Sequence, residues 1–207
     1  MTKTISAAAN PALANDLIQK AIKQEELPEI NPDILPPSDT TVELPGGYIN
    51  ASGEVIRTAE VRELTGKDEE AIAKTNNIGK ALMIILQRGV VSIGDEKATD
   101  KILDNLLSGD RDALLLGIMK ATFGSTPSIA SYCTGCNDMK EIQIDINKDI
   151  KIKMLADSLN DRVFVVQGKS GDIVVQLPTG VTQKELINNA EKSVAELNTI
   201  MLENTVT

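Results

Sequence analysis

The spacing of apolar residues changes period once along this chain, and that change decides the fold class. Between Thr65 and Gly124 they recur at three- and four-residue intervals. From Ile142 onward they alternate instead: Ile142, Ile144 and Ile146, then Ile150 and Ile152, then Val163 and Val165, and finally Ile173, Val175 and Leu177. The first spacing lines one face of a helix and the second lines one face of a strand. Helices grouped ahead of strands, not interleaved with them, predict an α+β fold. The switch falls at a C-x-x-C, Cys133 and Cys136, inside the segment from Phe123 to Leu155.

Local signals place the elements on either side. Asn10 and Pro11 supply an N-cap and a first helical position, and Leu13, Leu17, Ile18 and Ile22 predict an amphipathic helix over 11–26. Pro28, Pro32, Pro36 and Pro37 then impose an extended segment. It reads either as a linker lying on its own domain or as an arm reaching a neighbouring subunit. Val42 and Leu44 alternate, Gly46 and Gly47 permit a bend, and Asn50 to Gly53 supply a turn before Val55 and Ile56, which together predict a hairpin.

Thr65 with Asp68 starts a helical stretch that breaks near Asn76 and Asn77 and closes at Gly89. Val90, Val91 and Ile93 are a short buried strand or turn. Thr99 caps a helix carrying Ile102, Leu103, Leu106 and Leu107, and Asp110 caps the next, with Leu114, Leu115, Ile118 and Met119 inside and Gly124 beyond its end. The alternating runs after the cysteines predict four short strands in one small antiparallel sheet, with GKSGD as the last hairpin turn. Thr182 and Glu185 form a capping box for one long closing helix through Leu186, Ala190, Val194, Leu197 and Met201.

The chain therefore divides into an N-terminal helix and arm (1–40), a hairpin with a helical module (41–124), and a cysteine turn, sheet and closing helix (125–207). VELPGG at Val42 echoes VQLPTG at Val175; a shared strand exit explains this as well as duplication does.

Composition excludes several functions. Aromatic residues make up 2% of the 207, namely Tyr48, Phe123, Tyr132 and Phe164, too few for a base-stacking surface. A net charge of −9 leaves no broad basic face for phosphates, so nucleic acid is not an expected partner. Lys148, Lys151 and Lys153 read as a solvated face or a protein contact. The lack of a long apolar run or leader predicts no membrane partner and a soluble protein kept in a reducing cytoplasm.

With no histidine, the usual general base near neutral pH is missing. GKSGD lacks the context of a phosphate loop, and Asp145 and Asp149 read as outward polar residues, so the chain is not expected to be an enzyme. Cys133 and Cys136 leave three readings open: half of a metal knuckle, a redox pair, or two buried thiols. Redox pairs open a helix, whereas Asn137 to Lys140 lead into a strand, which favours the knuckle.

In order, VELPGGYINASGEVIRTAEVRELTGKDEEAI, a helix ending in TFG, YCTGCN, EIQIDI and VVQLPTG span roughly residues 40 to 187. This sequence of segments resembles the baseplate and tail-assembly proteins of contractile-tailed bacteriophages, including the baseplate hub proteins of T-even-like phages. The resemblance implies a non-enzymatic protein of the virion tail baseplate, assembled in the host cytoplasm, with other tail or baseplate proteins as partners in an oligomeric assembly. A transient assembly chaperone absent from the virion is the alternative within that setting, and a zinc-knuckle adaptor unrelated to tails is the alternative outside it. A knuckle at Cys133 and Cys136 is implied too. Zinc as its cofactor would have to draw on Asp138, Glu141 or cysteines of a second subunit, because structural zinc takes four ligands.

Overall fold

A computed structural model describes residues 40–206. The helix expected over 11–26 and the proline-rich segment lie outside the described residues.

The expected hairpin is formed by β1 (Thr41–Ile49) and β2 (Val55–Val61). Its turn is held by the Asn50 carboxamide oxygen, which accepts the amides of Ser52 at 3.0 Å and Glu54 at 2.9 Å. The Gly46-Gly47 bend is a break in register between Glu43 and Tyr48. Val90 to Ile93 prove to be a strand, β3 (Val90–Ile93), which pairs with β2 and is followed by β4 (Glu96–Lys97). The result is an antiparallel sheet in the order β1-β2-β3-β4.

Four helices form where helices were expected: α1 (Gly66–Ala73), α2 (Ile78–Gly89), α3 (Asp100–Asn105), which stops short of Leu106 and Leu107, and α4 (Ser108–Phe123). The break at Asn77 is a cap, since its side chain accepts the Lys80 amide at 3.0 Å. Thr99 caps α3 in the same way, through the Ile102 amide. Gly124 ends α4 with a φ of 84°, a backbone conformation that favours glycine.

The core lies where α4 crosses β1 and β2. Leu114, Ile118 and Ala121 meet Val42, Leu44, Ala59, Val61 and Ile93 in one aliphatic cluster. Burying a side chain such as Leu44, which is 0% exposed, stabilises the fold by about 1.5–3 kcal/mol. Close approach depends on Gly117: a methyl group there would collide with Val42, so only glycine lets the helix sit this near the strand.

Three expectations need correction. Asp110 does not cap α4. The helix begins at Ser108, with Leu107 at its N-cap, and the Asp110 carboxylate turns from its own helix to the buried amides of Gly46 and Gly47 in β1.

Secondly, the sheet after the cysteines is not one four-stranded unit. It resolves into two ribbons of two strands, β5 (Ser128–Cys133) with β6 (Asp138–Gln143), and β7 (Val163–Gly168) with β8 (Gly171–Gln176). The run through Ile144 and Ile146 stops because Asp145 accepts the Asn147 and Lys148 amides and starts the short helix α5 (Ile146–Asp149). Ile150 and Ile152 then lie outside any strand.

Lastly, the closing helix is two helices, α6 (Gly180–Asn188) and α7 (Val194–Thr205). Thr179, not Thr182, precedes the first; Thr182 is buried within it. Ser193 and Glu196 form the capping box of the second, and a box of that strength within a helical run restarts the helix instead of letting it continue.

Candidate functional site

Chemistry-bearing residues gather in three places: the start of α4, the two ribbons, and the cysteine turn. At the start of α4 the two echoed sequences meet. The amides of Gly46 and Gly47 donate to Asp110 Oδ1 at 2.6 and 3.2 Å. On the other side, the Ser108 amide donates to the Pro178 carbonyl at 2.9 Å, and the Gly180 amide to the Leu106 carbonyl at 2.9 Å. Thus VELPGG and VQLPTG dock on the same five residues, Leu106 to Asp110, through different hydrogen bonds. Pro45 and Pro178 flank a groove of about 340 Å³ between them.

Asp110 is fully buried. Burial pushes its carboxyl above the ordinary carboxylate range, against the pull of the Gly46 and Gly47 amides and the Arg162 charge. Its Oδ2 has no hydrogen-bond partner among the described residues. Arg162 in turn donates to the carbonyls of Gly46 and Gly47, so both sides of the glycine bulge are held. The Oδ1 oxygen thus holds the glycine bulge of β1 against the start of α4.

Asp68 is the second buried carboxylate and behaves in the opposite way. Arg62 binds it at 2.8 Å, Arg88 at 3.1 Å, and the Thr65 amide and hydroxyl at 2.9 and 2.8 Å. Led by Arg62, these donors hold its carboxyl well below the usual range. They tie the start of α1 to the ends of β2 and α2.

The ribbons differ from the rest of the molecule in what they show to water. A two-stranded antiparallel ribbon covered on one side should expose polar residues on the other. Here Val163, Phe164, Val165, Val166 and Ile173 are all 41–66% exposed, so both faces of β7–β8 carry uncovered apolar side chains. The β5–β6 ribbon likewise exposes the cross-strand pairs Ile129 with Ile142 and Tyr132 with Met139. A further apolar groove of about 510 Å³ runs beside α4, lined by Leu64, Leu82, Leu115, Met119, Phe123 and Ile150 among others.

Sequence spacing did not distinguish this surface from core. The one available signal was the unbroken run Val163-Phe164-Val165-Val166, which must place apolar groups on both faces of a strand.

The cysteine turn caps the β5–β6 ribbon. The Asn137 amide donates to the Cys133 carbonyl at 2.8 Å, and Asn137 takes a φ of 54°. The backbone amides of Cys136 and Gly135 and the Cys136 thiol lie in the same turn as Cys133. These contacts hold the Cys133 thiol below the usual thiol range. Both cysteines are free, and neither is buried, which removes the reading as two buried thiols.

Asp138 and Glu141 do not complete a site. Asp138 accepts its neighbour's amide, Met139, and Glu141 accepts the Ser128 hydroxyl. Among the described residues no three side chains of metal-ligating type group together. Asp145 and Asp149 are engaged in the local cap, Asp149 accepting the Asp145 amide at 2.9 Å.

None of the described helices is long and apolar enough to cross a membrane. No curated protein and no solved structure matches the chain. A family model described as T4 bacteriophage base plate protein matches residues 38–206, from just before β1 to the last described residue. The chain belongs to that family and is a phage baseplate protein.

Proposed function

We propose that the protein is a non-enzymatic structural component of the baseplate hub of a contractile tail, joined to other tail proteins through its two exposed ribbons. The carrying observation is the uncovered apolar surface of β7–β8, from Val163 to Val166 and at Ile173. An isolated chain gains nothing by presenting these side chains to water, and burying each against a partner would contribute on the order of 1 kcal/mol or more. Outside the bridge of Val175 on β8 to Val206, the ribbon edges are unpaired among the described residues and offer backbone groups for strand addition by a partner.

Family membership supports a place in the tail baseplate; assembly in the host cytoplasm and retention in the virion belong to this proposal. A net charge of −9 supports protein rather than nucleic-acid partners. Quantitative mass spectrometry of purified virions tests the reading. The protein should be present at a fixed ratio to other baseplate components. Its absence from mature particles, with abundance in infected cells, would replace the structural role with that of a transient assembly factor.

A further inference from the structure

Of the two edges of the β7–β8 ribbon, that of β7 is undefended. From Val163 to Gly168 it carries no charge and no proline, the residues that keep an open strand edge from pairing. Beyond its pairing with β8, it packs extensively against no other described element. The β8 edge differs: Val206 bridges to it at Val175, the Gln176 carboxamide donates to the Asn204 carbonyl at 3.0 Å, and Asp172 sets a charge on it.

The phase of the hydrogen bonds decides which groups lie on the open edge. The Leu177 amide donates to the Arg162 carbonyl at 2.8 Å, so bonded pairs continue at Phe164 with Val175, Val166 with Ile173 and Gly168 with Gly171. The N–H and C=O of Val163, Val165 and Gln167 therefore point away from β8, where no described strand lies opposite.

A strand that covers this edge must itself be uncharged, since a charge set beside Val165 would be buried without a counter-ion. β7 meets that requirement. Turned about a two-fold axis through Val165, it pairs antiparallel with its own copy: Val165 opposes Val165, Val163 opposes Gln167, and each outward amide and carbonyl finds a partner. On the other face Phe164 comes beside Val166, an aromatic and β-branched pair of the kind that stabilises sheets. At each end of the seam Asp161 of one copy stands opposite the exposed Lys169 of the other, so the same register matches opposite charges. Sliding the strands by two residues sets Lys169 against Leu159 or Val163 and leaves an outward residue with no strand opposite. We infer that two copies of this protein join through β7 into one continuous antiparallel sheet, in the order β8-β7-β7-β8. Like the proposed function, this pairing relies on β7–β8 as a contact surface, but it uses the edge and leaves both apolar faces to other tail proteins.

Sedimentation and amide hydrogen exchange of the purified full chain test the pairing apart from particle incorporation. The expected result is a monomer in dilute solution and a dimer at high concentration, in which the Val163, Val165 and Gln167 amides become protected. Those of Phe164, Val166 and Gly168, already bonded to β8, are protected in both. Gln167→Pro removes one outward amide and no bond within the ribbon. It should raise the dimer dissociation constant about tenfold or more, because two-fold symmetry deletes the bond twice, while the dilute monomer unfolds as wild type does. Gln167→Ala keeps the amide and should keep the dimer, and Lys169→Glu, facing Asp161, should weaken it. A chain that stays monomeric at every concentration, a dimer whose outward amides still exchange fast, or one indifferent to Gln167→Pro would each overturn the β7 seam. None of these results decides whether particles hold the protein through the ribbon's faces, which incorporation into virions decides separately.

Discussion

Residues 41–123 and residues 125–206 use apolar side chains in contrasting ways. In the first stretch Leu44, Ile93, Leu106, Leu114 and Ile118 vanish into one cluster beneath α4. In the second, Val163, Phe164, Val165, Val166 and Ile173 form a ribbon that leaves them in solvent. The first stretch is therefore the source of the chain's own stability, while the second holds surface whose burial awaits another molecule. Composition does not separate them, because both are aliphatic; the difference lies in whether a second layer covers the strand.

The contrast is broken most severely by truncating either side of it. Leu114→Ala should cost about 3 kcal/mol or more in denaturant unfolding, since it leaves a cavity under the sheet. Val165→Ala on the ribbon should stay within about 0.5 kcal/mol of wild type. A comparable loss at Val165 would mean that the ribbon is covered in the free protein.

Asp110→Ala should follow at about 2–3 kcal/mol, because the amides of Gly46 and Gly47 lose their acceptor in a buried place. A change close to zero would show that Arg162 and Ser158 hold the glycine bulge unaided.

The two buried carboxylates predict opposing pH responses of smaller size. Asp68 has a lowered native pKa, so its stabilisation is present above the unfolded carboxylate value of about 3.9 and disappears as pH falls through the native one. Asp110 has a raised native pKa, so its contribution is complete below the unfolded value and is lost as pH rises through the native one. Unfolding followed across the acid range should show Asp68→Asn removing part of the acid-side loss and Asp110→Asn removing part of the loss on the rising side. Identical profiles for both variants would contradict the opposite environments drawn for them.

How much of this was legible in the sequence follows the same division. The starts of α1, α2 and α3 could be read from Thr65, Asn77 and Thr99, because a cap acts within one turn of its residue. The hairpin from Thr41 to Val61 was equally local, set by Asn50 and Gly53. Asp110 was misread as a cap because its partners, Gly46 and Gly47, are more than sixty positions away, and no local rule reports a contact of that range.

The β5 strand was missed because SIASYC carries no alternating apolar pattern for a strand reading to find. Alternation was read correctly as strand at Ile142, Val163, Val165, Ile173 and Val175, but not at Ile146, Ile150 and Ile152, since the cap at Asp145 outweighed the strand pattern around it. The cysteine pair was legible as a tight turn leading into a strand; that its thiols stay unburied emerged only with the folded turn.

The ribbon's role is tested most directly by Val165→Asp, a charge placed at a residue 66% exposed. Phage carrying only this variant, analysed by quantitative mass spectrometry of purified particles beside the thermal unfolding of the isolated protein, gives the answer. The account predicts wild-type unfolding together with loss of the protein from the particles, because a buried charge is not tolerated in an apolar contact. Wild-type unfolding with incorporation at the normal ratio would show that the β7–β8 ribbon is not the surface by which this baseplate protein is held.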